Sequence, residues 1–189
     1  MYTGIAYIPS AMALSVAVLF VFVQNNRVRS DYLTGVFNRR QMDFYLEDKI
    51  IQAKNGKPFT GILLDLDNFK SINDTLGHPI GDEAIKKTAY LLNCCNGKSD
   101  FLARYGGDEF FIITTKYEQD EVENFLNGIQ NTFKKFNKDQ KRYQLNISAG
   151  YYTYYKDTQL SSKEFIEVVD KKMYENKQAS KNIKEATKG

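Results

Sequence analysis

The stretch Arg104-Tyr105-Gly106-Gly107-Asp108-Glu109-Phe110 lies where two apolar runs, residues 101–105 and 109–115, approach each other. Paired glycines between two such runs predict a β-hairpin, because glycine adopts turn conformations that other residues avoid. The turn then presents two neighbouring carboxylates, Asp108 and Glu109. Because carboxylate oxygens commonly bind Mg²⁺ beside phosphates, the hairpin predicts a metal-dependent phosphate site.

A second pair of carboxylates, Asp65 and Asp67, lies at the end of another apolar run, residues 59–66. This run predicts a strand buried on both faces in the middle of a sheet. Alternate residues of a strand face opposite sides, so only one of the two aspartates can face a shared metal. A single carboxylate pair is more often a solvated turn. Two pairs at strand ends are costly to desolvate, and they predict a shared cation and phosphoryl or nucleotidyl transfer.

The rest of the sequence alternates between helical and strand-like periodicity. Together with the hairpin, this alternation predicts an α/β fold, specifically an α+β sandwich with a central mixed β-sheet flanked by helices. The predicted helices are residues 38–54, 80–95, 122–136 and 161–180, and a further strand is predicted over residues 145–155.

Length and charge set limits on the function. A chain of 189 residues can form one domain with a full hydrophobic core. It contains 26 basic and 23 acidic residues, which gives a net charge of +3. This balance does not favour a nucleic-acid-binding surface, so we expect no nucleic-acid partner.

Residues 2–23 contain no charged side chain and are dominated by Ala, Val, Leu, Ile and Phe. A helix of this length extends about 33 Å, which is enough to cross a hydrocarbon layer of about 30 Å. We therefore expect a transmembrane helix over residues 1–24 and a polar linker over residues 25–30. A cleaved signal peptide is the alternative, but the run lacks the basic start and small-residue end of such peptides.

Two arginines, Arg27 and Arg29, follow the predicted span, and the positive-inside rule places everything after them in the cytoplasm. The expected location is thus the inner (cytoplasmic) membrane of the cell, with a single pass. Two alternatives stay open at this point. Either the span itself receives the input signal or binds a partner, or the chain is the tail of a longer protein.

The segment between the two carboxylate pairs, residues 68–82, carries more polar side chains than a simple connector needs. Lys70 can neutralise a phosphate. Asn73 and Asp82 can together bind the edge of a purine, because guanine offers a ring N–H and an exocyclic amine to a carboxylate. Asn and Asp also suit turns and helix caps, which is the competing interpretation.

Four separated motifs lie along the chain. They are Asp31-Tyr32-Leu33-Thr34-Gly35-Val36-Phe37-Asn38-Arg39-Arg40, Asp65-Leu66-Asp67-Asn68-Phe69-Lys70, the set Asn73-Asp74, Gly77-His78 and Gly81-Asp82, and Arg104-Tyr105-Gly106-Gly107-Asp108-Glu109-Phe110. In these motifs the chain resembles the GGDEF family of diguanylate cyclases. The resemblance implies a catalytic domain over residues 31–182 and a flexible tail over residues 183–189.

The resemblance also implies a reaction. Each protomer of a homodimer would hold one GTP, and the pair would be joined into cyclic di-GMP with release of two pyrophosphates. Two Mg²⁺ or Mn²⁺ ions would serve each GTP half-site. The implied fold is similar to that of nucleotidyl cyclases and of the polymerase palm.

Site residues follow from the matching positions. Asp65, Asp108 and the carbonyl of Leu66 would ligate metal, and Asn73 and Asp82 would recognise guanine. Glu109 would help to activate the attacking 3′-hydroxyl or bind the second ion. The other positions expected to contact GTP, mainly its phosphates, are Phe69, Lys70, Gly106, Gly107, Lys177 and Lys181.

The chain departs from the family pattern at two positions. Lys181 stands where the family usually has arginine, which keeps the charge but loses the bidentate fork. Gly97 replaces the arginine of an Arg-x-x-Asp site that binds product and inhibits many members, so that only Asp100 of that site is kept. Two other functions compete with the cyclase: a non-catalytic GTP-sensing module, and a membrane anchor whose folded part only dimerises.

Overall fold

The structure, a computed structural model, describes residues 12–19 and 29–186 of the chain. Residues 12–19 are helical. From residue 29 onward the described chain forms five strands and five further helices. In chain order these are β1 Phe37–Asn38, α1 Arg39–Lys54, β2 Phe59–Leu66, α2 Phe69–Leu76, α3 His78–Cys95, β3 Phe101–Arg104, β4 Glu109–Thr114, α4 Gln119–Asp139, β5 Ile147–Tyr154 and α5 Ser162–Ala186.

The five strands form one sheet in the order β1-β3-β4-β2-β5. β1 runs parallel to β3, and the other neighbours are antiparallel, so the sheet is mixed as predicted. β3 and β4 form the predicted hairpin around Gly106 and Gly107. β2 is an interior strand with partners on both sides, although β4 and not β2 occupies the middle of the sheet.

Side chains on the two faces of the sheet form two separate cores, because alternate residues of each strand point in opposite directions. Ile62 and Leu64 of β2 pack on one face with buried residues of α3 and α4. Leu63 of the same strand packs on the other face with buried residues of α1 and α5. Helices therefore cover both faces of the sheet, in agreement with the predicted fold class.

Helix α5 lies directly on the sheet at β5. A Cβ atom at Gly150 would overlap the backbone of Met173, so only glycine permits this approach. Three residues further along, Asn176 Nδ2 donates a hydrogen bond of 2.9 Å to the carbonyl oxygen of Ala149. The helix is thus held to β5 at the turn that carries Lys177.

Helix α2, strand β1 and helix α5 differ from the sequence prediction. Residues 69–76 form helix α2, where the sequence predicted no helix or strand, and its apolar Phe69, Ile72 and Leu76 pack against the core. Strand β1 has only two residues and was not predicted, because it is too short to show a periodicity. Helix α5 continues through Ala186, beyond the predicted end at residue 180 and into the predicted tail, and residues 187–189 lie outside the described residues.

The predicted transmembrane helix, residues 1–24, lies mostly outside the described residues, as do residues 25–28 of the predicted linker. The part that is described, residues 12–19, is helical and exposed. Within residues 12–19 and 29–186, none of the helices combines the length and the apolar character needed to cross a membrane.

Candidate active site

The two predicted carboxylate pairs lie side by side in the sheet. Asp65 of β2 is the direct cross-strand partner of Glu109 of β4. The backbone N–H of Leu66 donates a hydrogen bond of 3.2 Å to the carbonyl oxygen of Asp108. The end of β2 and the start of β4 therefore bring three carboxylates and the Leu66 backbone together at one end of the sheet.

These carboxylates repel one another. Burial raises the pKa of Asp108, and the negative charge of Asp65 raises it further. Burial also raises the pKa of Glu109, with contributions from Asp65, Asp108 and Asp170. Each raised pKa means that the ionised form is disfavoured in the folded protein, so a bound cation would stabilise this cluster.

Asp67 has a different environment, as strand alternation predicts. Its Oδ1 accepts a hydrogen bond of 2.7 Å from Ser148 Oγ, and its backbone N–H donates to the carbonyl oxygen of Asn146 at 2.8 Å. Both partners lie on or next to β5. Asp67 therefore fixes the end of β2 to β5 and is not part of the carboxylate cluster.

One lysine contacts the cluster directly. Lys177 Nζ of α5 donates a hydrogen bond to Asp65 Oδ1 and forms an ion pair with it. Both side chains are largely buried, with 24% and 13% of their surfaces exposed. The positive charge of Lys177 partly offsets the effect of burial on Asp108 and Glu109. It lowers their pKa values, but burial has the larger effect and both values remain raised. Lys177 is thus close to all three acids.

The donor set fits a divalent metal ion in part. Among the residues that the structure describes, no three His, Cys, Asp or Glu side chains are arranged to hold a metal by themselves. Asp65, Asp108 and the carbonyl of Leu66 nevertheless offer hard oxygen ligands in a region of excess negative charge. Mg²⁺ commonly binds through one or two carboxylates, with waters and substrate phosphates as its other ligands.

A second group of predicted residues meets where α2 packs against α3. A Cβ atom at Gly81 would overlap Asn73 Oδ1 and would lie 3.4 Å from the ring of Phe69. Gly81 therefore gives the Asn73 amide the space that it occupies. Asp82 is the next residue and is exposed. The structure thus places Asn73 beside the segment that carries Asp82, as joint recognition of a purine edge requires.

Two other lysines, Lys70 and Lys181, are predicted from the sequence to contact the phosphates of GTP. Lys70 is exposed in the first turn of α2, immediately after the end of β2. Lys181 lies on α5, one helical turn after Lys177, but its side chain is outside the described part of the structure.

Arg104 and Asp31 lie in two of the motifs, but the sequence indicated no role for either side chain. Arg104 Nε and Nη2 donate to the carbonyl oxygen of Gly107 at 3.1 and 2.7 Å. Arg104 Nη1 forms an ion pair of 3.1 Å with Asp31 Oδ1, which also accepts hydrogen bonds from the backbone N–H and hydroxyl of Thr34. Burial alone would raise the pKa of Asp31, but these hydrogen bonds lower it. The glycine turn is thereby tied to the segment before β1.

Two further residues that the sequence did not single out surround the turn. The guanidinium of Arg39 lies 4.3 Å from the centre of the Tyr105 ring, a cation–π contact between α1 and the turn. Asp170 of α5 is close enough to raise the pKa of Glu109, after the larger effects of burial, Asp65 and Asp108. Of the contacts around the turn, only the hydrogen bonds between Asp31 and Thr34 had a local signal in the sequence, which is their Asp-x-x-Thr spacing.

Most of the chain matches a known protein family. Residues 28–183 match the family described as "Diguanylate cyclase, GGDEF domain". The chain belongs to the GGDEF family.

Relatives of this GGDEF protein include diguanylate cyclase DosC of Escherichia coli K12, which is 31% identical over 170 residues and 87% of the chain. The chain spans about a third of DosC, 36% of its length. The membrane protein SH2145 of Staphylococcus haemolyticus is 30% identical over 79% of the chain and 47% of its own length.

Among solved structures, the coiled coil and GGDEF domain of DgcB from Caulobacter crescentus, in complex with c-di-GMP, has a TM-score of 0.75. The match covers 94% of this chain and 96% of the DgcB chain at 24% identity, and it shows the shared fold.

One position of the GGDEF domain has a clear structural role that differs from ligand binding. The side chain of Asp100 is 1% exposed and forms an ion pair of 3.0 Å with Lys116. Its Oδ2 also accepts a hydrogen bond of 2.8 Å from the backbone N–H of Gly97. The carboxylate is therefore used inside the domain, where it joins the α3–β3 loop to the end of β4.

Proposed function

We propose that this chain is a diguanylate cyclase, which condenses two GTP molecules into cyclic di-GMP and two pyrophosphates. The observation that carries the proposal is the cross-strand pairing of Asp65 with Glu109, with Asp108 next to them. Membership of the GGDEF family supports the same activity. A solvated turn would not bring three acids together in a half-buried cluster in which burial raises the pKa values of Asp108 and Glu109.

In each half-reaction the 3′-hydroxyl of one GTP attacks the α-phosphorus of the other. A P–O bond forms, the bond to the β,γ-pyrophosphate breaks, and the hydroxyl proton is released. Mg²⁺ or Mn²⁺, two ions per half-site, would neutralise charge on the entering and leaving oxygens. Asp65, Asp108 and the Leu66 carbonyl are the residues that would hold metal.

The chain's own residues would position the substrate and move the proton. Glu109 would accept the proton of the 3′-hydroxyl or hold the second ion, and its raised pKa suits a general base. Asn73 and Asp82 would bind guanine, and Phe69 lies beside Asn73. The groups assigned to the triphosphate are Lys70, Lys177, Lys181 and the backbone of Gly106 and Gly107.

A homodimer is required by this chemistry, because each protomer holds one GTP and neither half-site can form both new bonds alone. We propose that two copies face each other through their catalytic domains.

Membrane attachment is a separate part of the proposal, and it rests on the uncharged residues 2–23. It places the chain in the inner membrane with the catalytic domain in the cytoplasm. Extraction of membranes with carbonate tests it, since a peripheral protein would be released.

The activity is tested by incubating the full chain with GTP and Mg²⁺ and measuring cyclic di-GMP by mass spectrometry. We expect product from the parent chain and none from Asp108→Asn. Asp157→Asn is the matched control, because Asp157 is exposed in the loop after β5 and outside the cluster. Binding of GTP without product would refute the cyclase and support the GTP-sensing module. Absence of GTP binding would support the dimerising anchor.

A further inference from the structure

Lys177 lies on a part of α5 that cannot shift easily. The preceding residue, Asn176, is hydrogen-bonded to the carbonyl oxygen of Ala149, and the turn before it rests on Gly150 without space for a Cβ atom. The helix backbone at Lys177 is therefore fixed against β5. The side chain, in contrast, has a flexible four-carbon stem and three donors that can turn towards different acceptors.

The ammonium group of Lys177 contacts the same carboxylate that would ligate metal. Its Nζ is paired with Asp65 Oδ1. A divalent cation that binds Asp65 through this oxygen must compete with the ammonium group. A released ammonium group would remain beside the cluster, because its helix is fixed, and a bound triphosphate would be its nearest new anionic partner.

We propose that Lys177 is an exchangeable counter-ion of Asp65, which gives up this carboxylate to the metal and pairs with the triphosphate of GTP instead. The inference rests on the proposed function for the identity of the nucleotide. In this proposal Lys177 couples the binding of metal to the binding of nucleotide. When metal binds alone, it must displace the Lys177 ammonium group, which then has no new partner. When metal and nucleotide bind together, the triphosphate is that partner.

The exchange predicts opposite effects of one substitution on two ligands. In Lys177→Met the ammonium group is lost and a stem of similar length is kept. We expect Mn²⁺ to bind this variant more tightly than the parent in the absence of nucleotide, on the order of three- to tenfold. We expect GTP to bind it more weakly by a similar factor in the presence of EDTA. Isothermal titration calorimetry of the full chain measures both.

Two control variants separate the exchange from other effects. Lys171→Met removes one charge from the exposed surface of the same helix, so it reports the effect of net charge alone, which we expect to be less than twofold. Lys177→Arg keeps the charge and should bind Mn²⁺ no more tightly than the parent. A purely structural role of Lys177 would weaken both ligands together or leave both unchanged, and either result would overturn the inference.

The inference and the proposed function can fail separately. Tighter Mn²⁺ binding by Lys177→Met supports the exchange even if the parent chain makes no cyclic di-GMP, in which case only the cyclase is refuted. Unchanged Mn²⁺ binding by a correctly folded Lys177→Met overturns the exchange even if the parent chain makes product. Circular dichroism of each variant establishes that the comparison is between folded proteins.

Discussion

Arg104 holds the carbonyl oxygen of Gly107 with two hydrogen bonds from its guanidinium group. The same group is paired with Asp31, which is itself fixed by Thr34. The turn that presents Asp108 is therefore positioned by a side chain and not only by its glycines. Since small displacements of catalytic groups are costly in rate, the arrangement leads to a direct test.

Arg104→Lys should lower the rate of cyclic di-GMP formation by at least about tenfold, because lysine cannot reach Gly107 and Asp31 together. The effect should fall mainly on kcat, since no guanine contact is removed. Steady-state kinetics with GTP measures it. Arg40→Lys, at an exposed position of α1, is the control and should retain the parent rate. Equal loss in both variants would contradict the positioning role.

Gly81→Ala should raise KM for GTP, because the new Cβ atom would overlap Asn73 Oδ1 and displace the amide. We expect a rise of about tenfold, the cost of about one good hydrogen bond. Gly128→Ala in α4 is the matched control, since a Cβ atom there meets nothing within 4 Å. It should leave KM unchanged and stabilise the helix by about 0.5–1 kcal/mol. An unchanged KM in Gly81→Ala would show that Asn73 takes no part in nucleotide binding.

Lys116→Met should destabilise the domain, because it leaves the buried Asp100 carboxylate without its ionic partner. Lys116 is one-third exposed (33%), so we expect about 1–2 kcal/mol, less than for a fully buried pair. Urea denaturation measures the free energy of unfolding. Lys163→Met is the control: its pair with Glu167 spans 3.9 Å with the lysine 87% exposed, and its loss should cost under about 0.5 kcal/mol.

Asp108→Asn should make the metal-free protein more stable near neutral pH. The pKa of Asp108 is raised in the folded state, so the folded protein binds its proton more tightly than the unfolded chain does. Stability therefore falls as pH rises from the ordinary pKa through the raised one, and the substitution removes this loss. The gain should shrink as pH is lowered and vanish well below the ordinary aspartate pKa of 3.8, where both states are protonated.

Thermal denaturation in EDTA at a series of pH values measures this effect. Excess Mn²⁺ should reverse the order, because the parent chain gains stability from a ligand that binds only its folded state. Asp157→Asn should show neither the gain nor the reversal. A parent chain that Mn²⁺ does not stabilise would refute the assignment of metal to this cluster.

Local patterns predicted the parts of the fold that depend on neighbouring residues. β2 was predicted with its observed ends because its apolar run is continuous, and the hairpin followed from Gly106 and Gly107. Helix α2 was missed because its polar residues outnumber its three apolar ones, although these lie at helical spacing. Its burial depends on packing against α3, which a local pattern does not contain.

Contacts between distant residues could not be read from the sequence. Lys177 and Asp65 are separated by 112 positions, and Arg104 and Asp31 by 73. The family resemblance indicated a phosphate-binding role for Lys177 but no contact with Asp65. Similarly, Asp100 could be recognised as the remnant of a motif, whereas its ion pair with Lys116 required the packing of the α3–β3 loop against β4.

The burial of Asp100 bears on how this chain could be engineered. Installing arginine at position 97 would recreate the letters of the inhibitory motif, but the aspartate would still face Lys116 instead of a soluble dinucleotide. Lys116 would have to change as well, and that substitution weakens the domain. Substitution at position 97 alone would therefore leave the Asp100 carboxylate paired with Lys116.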